Sequence, residues 1–195
     1  MNSLRVCIVE DDTLVAMNLR DLLEGLGHTV IAEAHDGIAG VRVAETLRPD
    51  LILMDIRMPS MSGIEASREI MARCPAPIVL LTAYSDPELI RQADEAGVQS
   101  YLVKPVESAE LQPAIVLAVS RFRERAQLEQ EAENLRQSLA ERKLVERAKG
   151  ILMRRLNLTE EEAYLRLKRE ARSRRVKMVT IAERIIQAVE LFGDL

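Results

Sequence analysis

The chain has 195 residues, room for one domain or two small ones, with 27 Lys and Arg against 31 Asp and Glu. No apolar run approaches the roughly 18 residues of a membrane span. Met1 to Val9 lacks the long apolar stretch of an export signal, and the two cysteines, Cys7 and Cys74, are spaced for neither a disulfide framework nor a zinc site, so a reduced cytoplasmic protein without a membrane partner is expected. Charge is unevenly placed: residues 1–120 hold 9 basic against 18 acidic side chains (net −9), residues 121–141 hold 4 against 5 (net −1), and residues 142–195 hold 14 against 8 (net +6). An acidic front joined to a basic tail suggests that the tail meets a polyanion.

In chain order, short runs rich in Val, Ile and Leu predict strands at Leu4 to Val9, Thr29 to Ala34, Leu51 to Met54, Ile78 to Thr82 and Ser100 to Val103. Amphipathic helices alternate with them. Leu14, Leu19, Leu22 and Leu23 form one apolar face and Ile38, Val41 and Leu47 another; Gly63 to Ala72, Pro87 to Ala96 and Ser108 onward continue the alternation. The fold expected is α/β, a doubly wound (βα)5 parallel five-stranded sheet covered on both faces. No Gly or Pro interrupts Ala114 to Ala148, so the fifth helix should run on as a rod. Leu128, Ala132, Leu135 and Leu139 on it follow 4, 3, 4 spacing, a seam for a partner helix. Three short helices should follow as an all-α unit, the first with Leu144, Val145, Ala148, Ile151 and Leu152 inward. Asn157-Leu158 makes a break, and Thr159 with Glu162 and Thr180 with Glu183 read as capping boxes that start helices near 160 and 181. The inward faces of these two are Ala163, Tyr164, Leu167 and Ala171, then Ile181, Ala182, Ile185, Ile186, Val189 and Phe192. The expected divisions are 1–120, a coiled-coil-like linker 121–141, and 142–195.

Glu10-Asp11-Asp12, Asp55 and Lys104-Pro105 each follow directly on a predicted strand, and strand ends of an open α/β sheet meet in one crevice. A carboxylate at a strand end can attack phosphorus, which makes Asp55 the candidate nucleophile. Glu10 and Asp11 would crowd it with like charge, and an oxygen-rich site of this kind favours Mg²⁺, held by Asp11 and Asp55 with Glu10 through water and the Arg57 backbone carbonyl. Lys104 and the Thr82 hydroxyl can stabilise charge developing on a transferred phosphoryl group, with Ala83 leaving space beside it.

On Val-Glu10-Asp11-Asp12, Met-Asp55-Ile-Arg-Met-Pro59, Leu-Thr82-Ala83 and Tyr101-Leu-Val-Lys104-Pro105, the first 120 residues resemble a CheY-like response-regulator receiver domain. The resemblance implies that Asp55 accepts a phosphoryl group from a sensor histidine kinase, that Thr82 and Tyr101 act as a switch pair, and that the Lys104-Pro105 bond is cis. It implies phosphotransfer onto the protein's own aspartate rather than turnover of a separate substrate. Arg57 and Tyr84 sit where side chains beside the phosphate vary in the family. Two rivals fail on residues: a haloacid-dehalogenase-type phosphatase needs a second aspartate where Arg57 stands, and a flavodoxin-like phosphate loop would be repelled by three carboxylates after the first strand.

In the tail, Lys143, Arg147, Gly150 and Arg154 fall on one helical stripe away from the apolar face, with Gly150 open to close approach by another backbone. Lys168, Arg169, Arg172, Arg174, Arg175 and Lys177 add charge nearby. Tyr164, on an apolar face, is expected in the core rather than as a base-stacking platform. On Glu146-Arg-Ala148-Lys149-Gly150-Ile-Leu152-Met153, Thr159-x-x-Glu162-Ala163-Tyr164 and Ala182, residues 142–192 resemble an ANTAR domain, the three-helix RNA-binding unit of transcription antitermination regulators. The resemblance implies paired RNA stem-loops in leader transcripts as targets, and adds Lys149 and Tyr164 to Lys143, Arg147, Gly150, Arg154 and Arg172 as RNA-binding candidates. Hairpin loops splay bases that basic and aromatic side chains reach, and phosphates reward cations. A DNA-binding regulator and a module for dimerisation or kinase docking remain as alternatives. Phosphorylation at Asp55 is expected to favour a homodimer along Leu128 to Leu139.

Overall fold

The computed structural model describes residues 3–83 and 87–192, with the side chains of Pro87 and Phe192 outside the described set. Five strands, β1 (Arg5–Val9), β2 (Thr29–Ala34), β3 (Leu51–Asp55), β4 (Ile78–Thr82) and β5 (Ser100–Val103), form one sheet in the order β2-β1-β3-β4-β5. Every pairing is parallel. β3 and β4 are buried at every position, which is why they read as unbroken apolar runs: helices cover both faces.

Alternate residues of each strand feed two cores. Val6, Ile8, Leu51, Leu53, Val79 and Leu81 pack on one face against α1 (Thr13–Gly25) and the start of α5 (Ser108–Leu156). Cys7, Val9, Ile52, Met54, Ile78 and Leu80 pack on the other against α2 (Gly37–Leu47), α3 (Gly63–Arg73) and α4 (Pro87–Glu95). Ile8, Leu53 and Leu81 are wholly buried, and each contributes about 1.5–3 kcal/mol of hydrophobic stabilisation. Three expected inward residues are not in these cores. Leu14 is 77% exposed, because α1 turns Ala16, Leu19 and Leu23 inward, and Ile38 and Leu47 lie outside because α2 buries Gly37, Gly40, Val41 and Ala44 instead.

The chain divides into two compact units, residues 1–126 and 127–195. The division falls inside α5, a single helix to Leu156. The first tail helix is therefore not a separate short element, since nothing between Ala114 and Leu156 stops the helix. Asn157 ends it with a left-handed φ of 51°, as the break at Asn157-Leu158 required. α6 (Glu160–Arg174) starts at the expected capping box, in which the Thr159 hydroxyl accepts from the Glu162 backbone N–H and the Glu162 carboxylate accepts from the Thr159 N–H. α7 (Met178–Phe192) begins three residues before the expected 181, so Thr180 lies inside it and its pairing with Glu183 does not cap the helix. A third core, with Ala148, Ile151, Leu167, Ala171, Ile181, Ala182 and Ile186, closes the second unit.

Candidate functional site

β1 and β3 are neighbours although β2 lies between them in sequence, so the chain reverses direction of winding at β1 and opens a crevice at the C-terminal strand ends. Glu10 follows β1, Asp55 ends β3, Thr82 ends β4 and Lys104 follows β5. Glu10, Asp55 and Thr82 are buried. Lys104 Nζ reaches Glu10 Oε2 at 2.6 Å and Asp55 Oδ2 at 2.9 Å. Carboxylate oxygens of Glu10, Asp11 and Asp55 lie within 4.8 Å of one another, with Asp11 exposed at the mouth. This is an oxygen donor set that fits a divalent cation.

The electrostatics follow from burial. Burial pushes Glu10 above the ordinary glutamate range, and the Asp55 charge adds to it against the opposing Lys104 hydrogen bond. Burial works against the charge on Lys104, but its hydrogen bonds to Glu10 and Asp55 outweigh this and hold its pKa above the usual lysine value. The site thus keeps a lysine cation beside two carboxylates.

Asp12 is turned away from this cluster. It caps α1, accepting from the backbone N–H groups of Leu14 at 2.8 Å and Val15 at 3.2 Å. Arg57, whose carbonyl is a candidate metal oxygen, follows in the loop to α3. Its exposed side chain lines, with Asp11, Met58, Glu65, Arg68 and Gln92, an open groove of about 730 Å³. Tyr101 is 42% exposed on β5 and stands in register with Leu80, whereas Thr82 pairs with Val103. The Lys104-Pro105 bond is cis. Tyr84 lies outside the described residues.

Gly63 is a positioning residue the sequence reading missed. A Cβ there would fall 2.0 Å from the Asp55 carbonyl oxygen, so only glycine lets the start of α3 pack on the backbone that carries Asp55. The available signal was Ser62-Gly63-Ile64-Glu65, a capping box in which the Ser62 hydroxyl accepts from the Glu65 N–H and the Glu65 carboxylate accepts from the Ser62 N–H.

The tail candidates separate into two groups. Lys143, Arg147, Arg154 and Arg172 are exposed, Arg147 with Glu190 at 2.8 Å, and Gly150 is half-buried. Lys149 is different. Its side chain is only 8% exposed, and Nζ lies 2.7 Å from Glu160 and 2.9 Å from Glu146. Hydrogen bonds to Glu160 first and Glu146 second hold its pKa above the ordinary lysine value. It joins the end of α5 to the first turn of α6 and is not on the exposed stripe. Tyr164 is the reverse case. Expected in the core, it is 37% exposed, with Lys168 Nζ 5.7 Å from its ring centroid. Ala163 and Leu167 take the inward positions of α6.

Residues 6–116 match the response regulator receiver domain family, and residues 133–186 match the ANTAR domain family. Over 185 residues the chain is 45% identical to transcriptional regulatory protein PdtaR of Mycobacterium tuberculosis, covering 95% of this chain and 90% of the relative. The chain belongs to the response regulators. Solved receiver domains agree with this. That of a modulated diguanylate cyclase from Desulfovibrio desulfuricans G20 is 35% identical with a TM-score of 0.58, covering 63% of this response regulator and 98% of that chain. The receiver domain of sensor histidine kinase PA1611 from Pseudomonas aeruginosa PAO1, 36% identical with a TM-score of 0.55 over 60% and 98% of the two chains, has a magnesium ion coordinated in its active site cleft. This response regulator carries an ANTAR domain at its C-terminal end, and no helix among its described residues is long and apolar enough to cross a membrane.

Proposed function

We propose that this cytoplasmic protein takes a phosphoryl group from a sensor histidine kinase onto Asp55 and, in that state, binds RNA stem-loops in leader transcripts to promote antitermination. The observation that carries the reading is the convergence of Lys104 Nζ on Glu10 and Asp55, beside an open groove, in a chain that ends in an ANTAR domain. In the transfer, the P–N bond to the kinase histidine breaks and a P–O bond to Asp55 forms. Mg²⁺, held by Asp11 and Asp55 with Glu10 and the Arg57 carbonyl, would supply positive charge for the phosphoryl oxygens. Lys104 then leaves the Asp55 oxygen for the phosphoryl group, and Thr82 donates its hydroxyl from the end of β4. Thr82 moving inward and Tyr101 turning from its exposed position would complete the switch.

The RNA-binding surface comprises Lys143, Arg147, Gly150 and Arg154 on α5 and Tyr164 and Arg172 on α6, with Lys149 holding the two helices together from inside. Leu128, Leu135 and Leu139 are about 60% exposed on α5. A homodimer along this seam would bring two tails to paired hairpins and raise affinity through effective concentration. The test is to recover bound transcripts from the full chain with and without beryllofluoride and Mg²⁺, then to compete them against duplex DNA of equal length. Paired hairpins ahead of terminators, enriched by the fluoride and resistant to DNA, are expected; equal competition by DNA would reject the preference for RNA.

A further inference from the structure

Gly150 costs the tail stability, and no described residue of the chain requires it. It sits in the interior of α5, where only proline favours a helix less than glycine does. Glycine is normally kept at such a place because another group passes too close for a side chain. Among the described residues the space is open: a Cβ at Gly150 would meet only Arg154 Nη1, at 3.6 Å, an ordinary contact with the end of a flexible side chain. Gly63 is the contrast, since its missing Cβ is demanded by the backbone of Asp55. No close approach among the described residues accounts for Gly150, which turns attention to a bound molecule.

The residues beside it identify that molecule's chemistry. Arg147 and Arg154 stand one turn before and after Gly150 on the same face, and Lys143 one turn further back, all three exposed. Lys143 and Arg154 have no ion-pair partner among the described residues. A second copy of the chain packing two-fold on this stripe would bring its own three cations against these, which like-charge repulsion disfavours. A nucleic-acid backbone brings phosphates instead.

We propose that the sugar-phosphate backbone of the bound RNA crosses α5 at Gly150, in van der Waals contact with the helix backbone, with Arg147 and Arg154 on the flanking phosphates. This rests on the RNA-binding reading and specifies where the strand lies. The missing side chain acts as a depth gauge: it lets the strand settle close enough for both arginines to reach it at once. Any side chain at 150 holds the strand off, whatever its base sequence, because the contact is to backbone.

The test uses the full chain in beryllofluoride and Mg²⁺ with the transcript that the wild-type protein enriches most. Gly150→Ala and Gly150→Gln are expected to melt at or above the wild-type temperature, since both residues favour helix and the space is open. Their RNA affinity is expected to fall in order of side-chain size, by about tenfold for Ala and more for Gln, tenfold corresponding to about 1.4 kcal/mol. Arg154→Gln should weaken binding and lower the salt slope by about one. Wild-type affinity in both Gly150 variants, in a wild-type protein that does bind the transcript, would overturn the proposal and leave RNA binding standing. So would a loss of self-association with RNA affinity unchanged, which would assign the glycine to a second copy. A wild-type protein that enriches no transcript would remove the RNA reading itself, and this proposal with it.

Discussion

The receiver unit and the tail unit use charge in opposite ways. In the receiver, charged groups from three strand ends turn inward to one point, where Lys104 bridges two carboxylates that share a crevice. In the tail most charges face outward, and the single buried cation, Lys149 among the described residues, ties two helices together. Buried convergence makes a chemical site, because desolvated charges interact strongly. An exposed basic face makes a binding surface, whose strength comes from many weak contacts with a polyanion.

The comparison is broken most forcefully at the crevice. Lys104→Met is expected to slow phosphoryl uptake from a small acyl phosphate by about 100-fold, read by phosphate incorporation, while RNA binding by the beryllofluoride-free protein stays at its basal level. Incorporation within a few-fold of wild type would deny Lys104 its part. Gly63→Ala should come next: overpacking against the Asp55 carbonyl costs about 1–3 kcal/mol, seen as a lower melting temperature and slower incorporation together. An unchanged melting temperature would mean that α3 can retreat freely.

The tail's division of labour is sharpened by a charge swap. Lys149→Glu alone is expected to weaken RNA binding, and adding Glu160→Lys should restore part of it, because the swapped pair again joins α5 to α6 although the new carboxylate meets Glu146. If Lys149 touched RNA directly, the double variant would stay weak. Tyr164→Phe should retain affinity while Tyr164→Leu lowers it about 5- to 150-fold, the range for losing one stacked base; equal affinities would leave Tyr164 without a stacking role.

Glu10 gives a smaller, pH-dependent effect. Its raised folded pKa means that the fold favours its protonated form, so its stabilising contribution is complete below the ordinary glutamate pKa and is lost as pH rises through the folded value. Cation binding needs the ionised form and runs oppositely, weakening as pH falls through that same window, and it is within that window that binding releases a proton. Calorimetric titration of Mg²⁺ in two buffers of different ionisation enthalpy should detect that proton, and Glu10→Gln should abolish it. The smallest effect expected is at the thiols. Burial first, and the Glu33 charge second, push Cys7 up to about 12, so alkylation of the native chain at neutral pH should leave Cys7 unmodified, and rapid labelling would contradict its burial.

The two units also differ in how legible they are. Glu10, Asp55 and Thr82 could be placed from sequence because each terminates or follows a run buried almost throughout, and Lys104 because it follows a short apolar edge strand; a parallel sheet brings such ends together whatever the helices do. Asp11 and Asp12 show the limit: adjacent carboxylates, one facing the crevice and one capping α1. That choice is made by backbone direction at the turn. In the tail, helical spacing identified the face with Ala148, Ile151, Leu167 and Ile186 but turned Tyr164 inward, and it placed Lys149, offered by the family resemblance, on no face; each lies at the border of an apolar stripe, and only the neighbouring helix decides which way the border turns. Thr180 and Glu183 match a capping pattern, yet α7 begins at Met178 because the residues before them already suit a helix. Gly63 was hidden because its reason for being glycine is a backbone atom eight residues away.

The dependence of tail activity on the receiver is tested most directly by the affinity of the full chain for its enriched transcript, measured with and without beryllofluoride and Mg²⁺ in the wild type and in Asp55→Asn. A rise of about tenfold or more in the wild type, absent in the variant, is the result predicted here, corresponding to about 1.4 kcal/mol of coupling. Equal affinity in all four measurements would contradict control by Asp55, as would an equal rise in the variant.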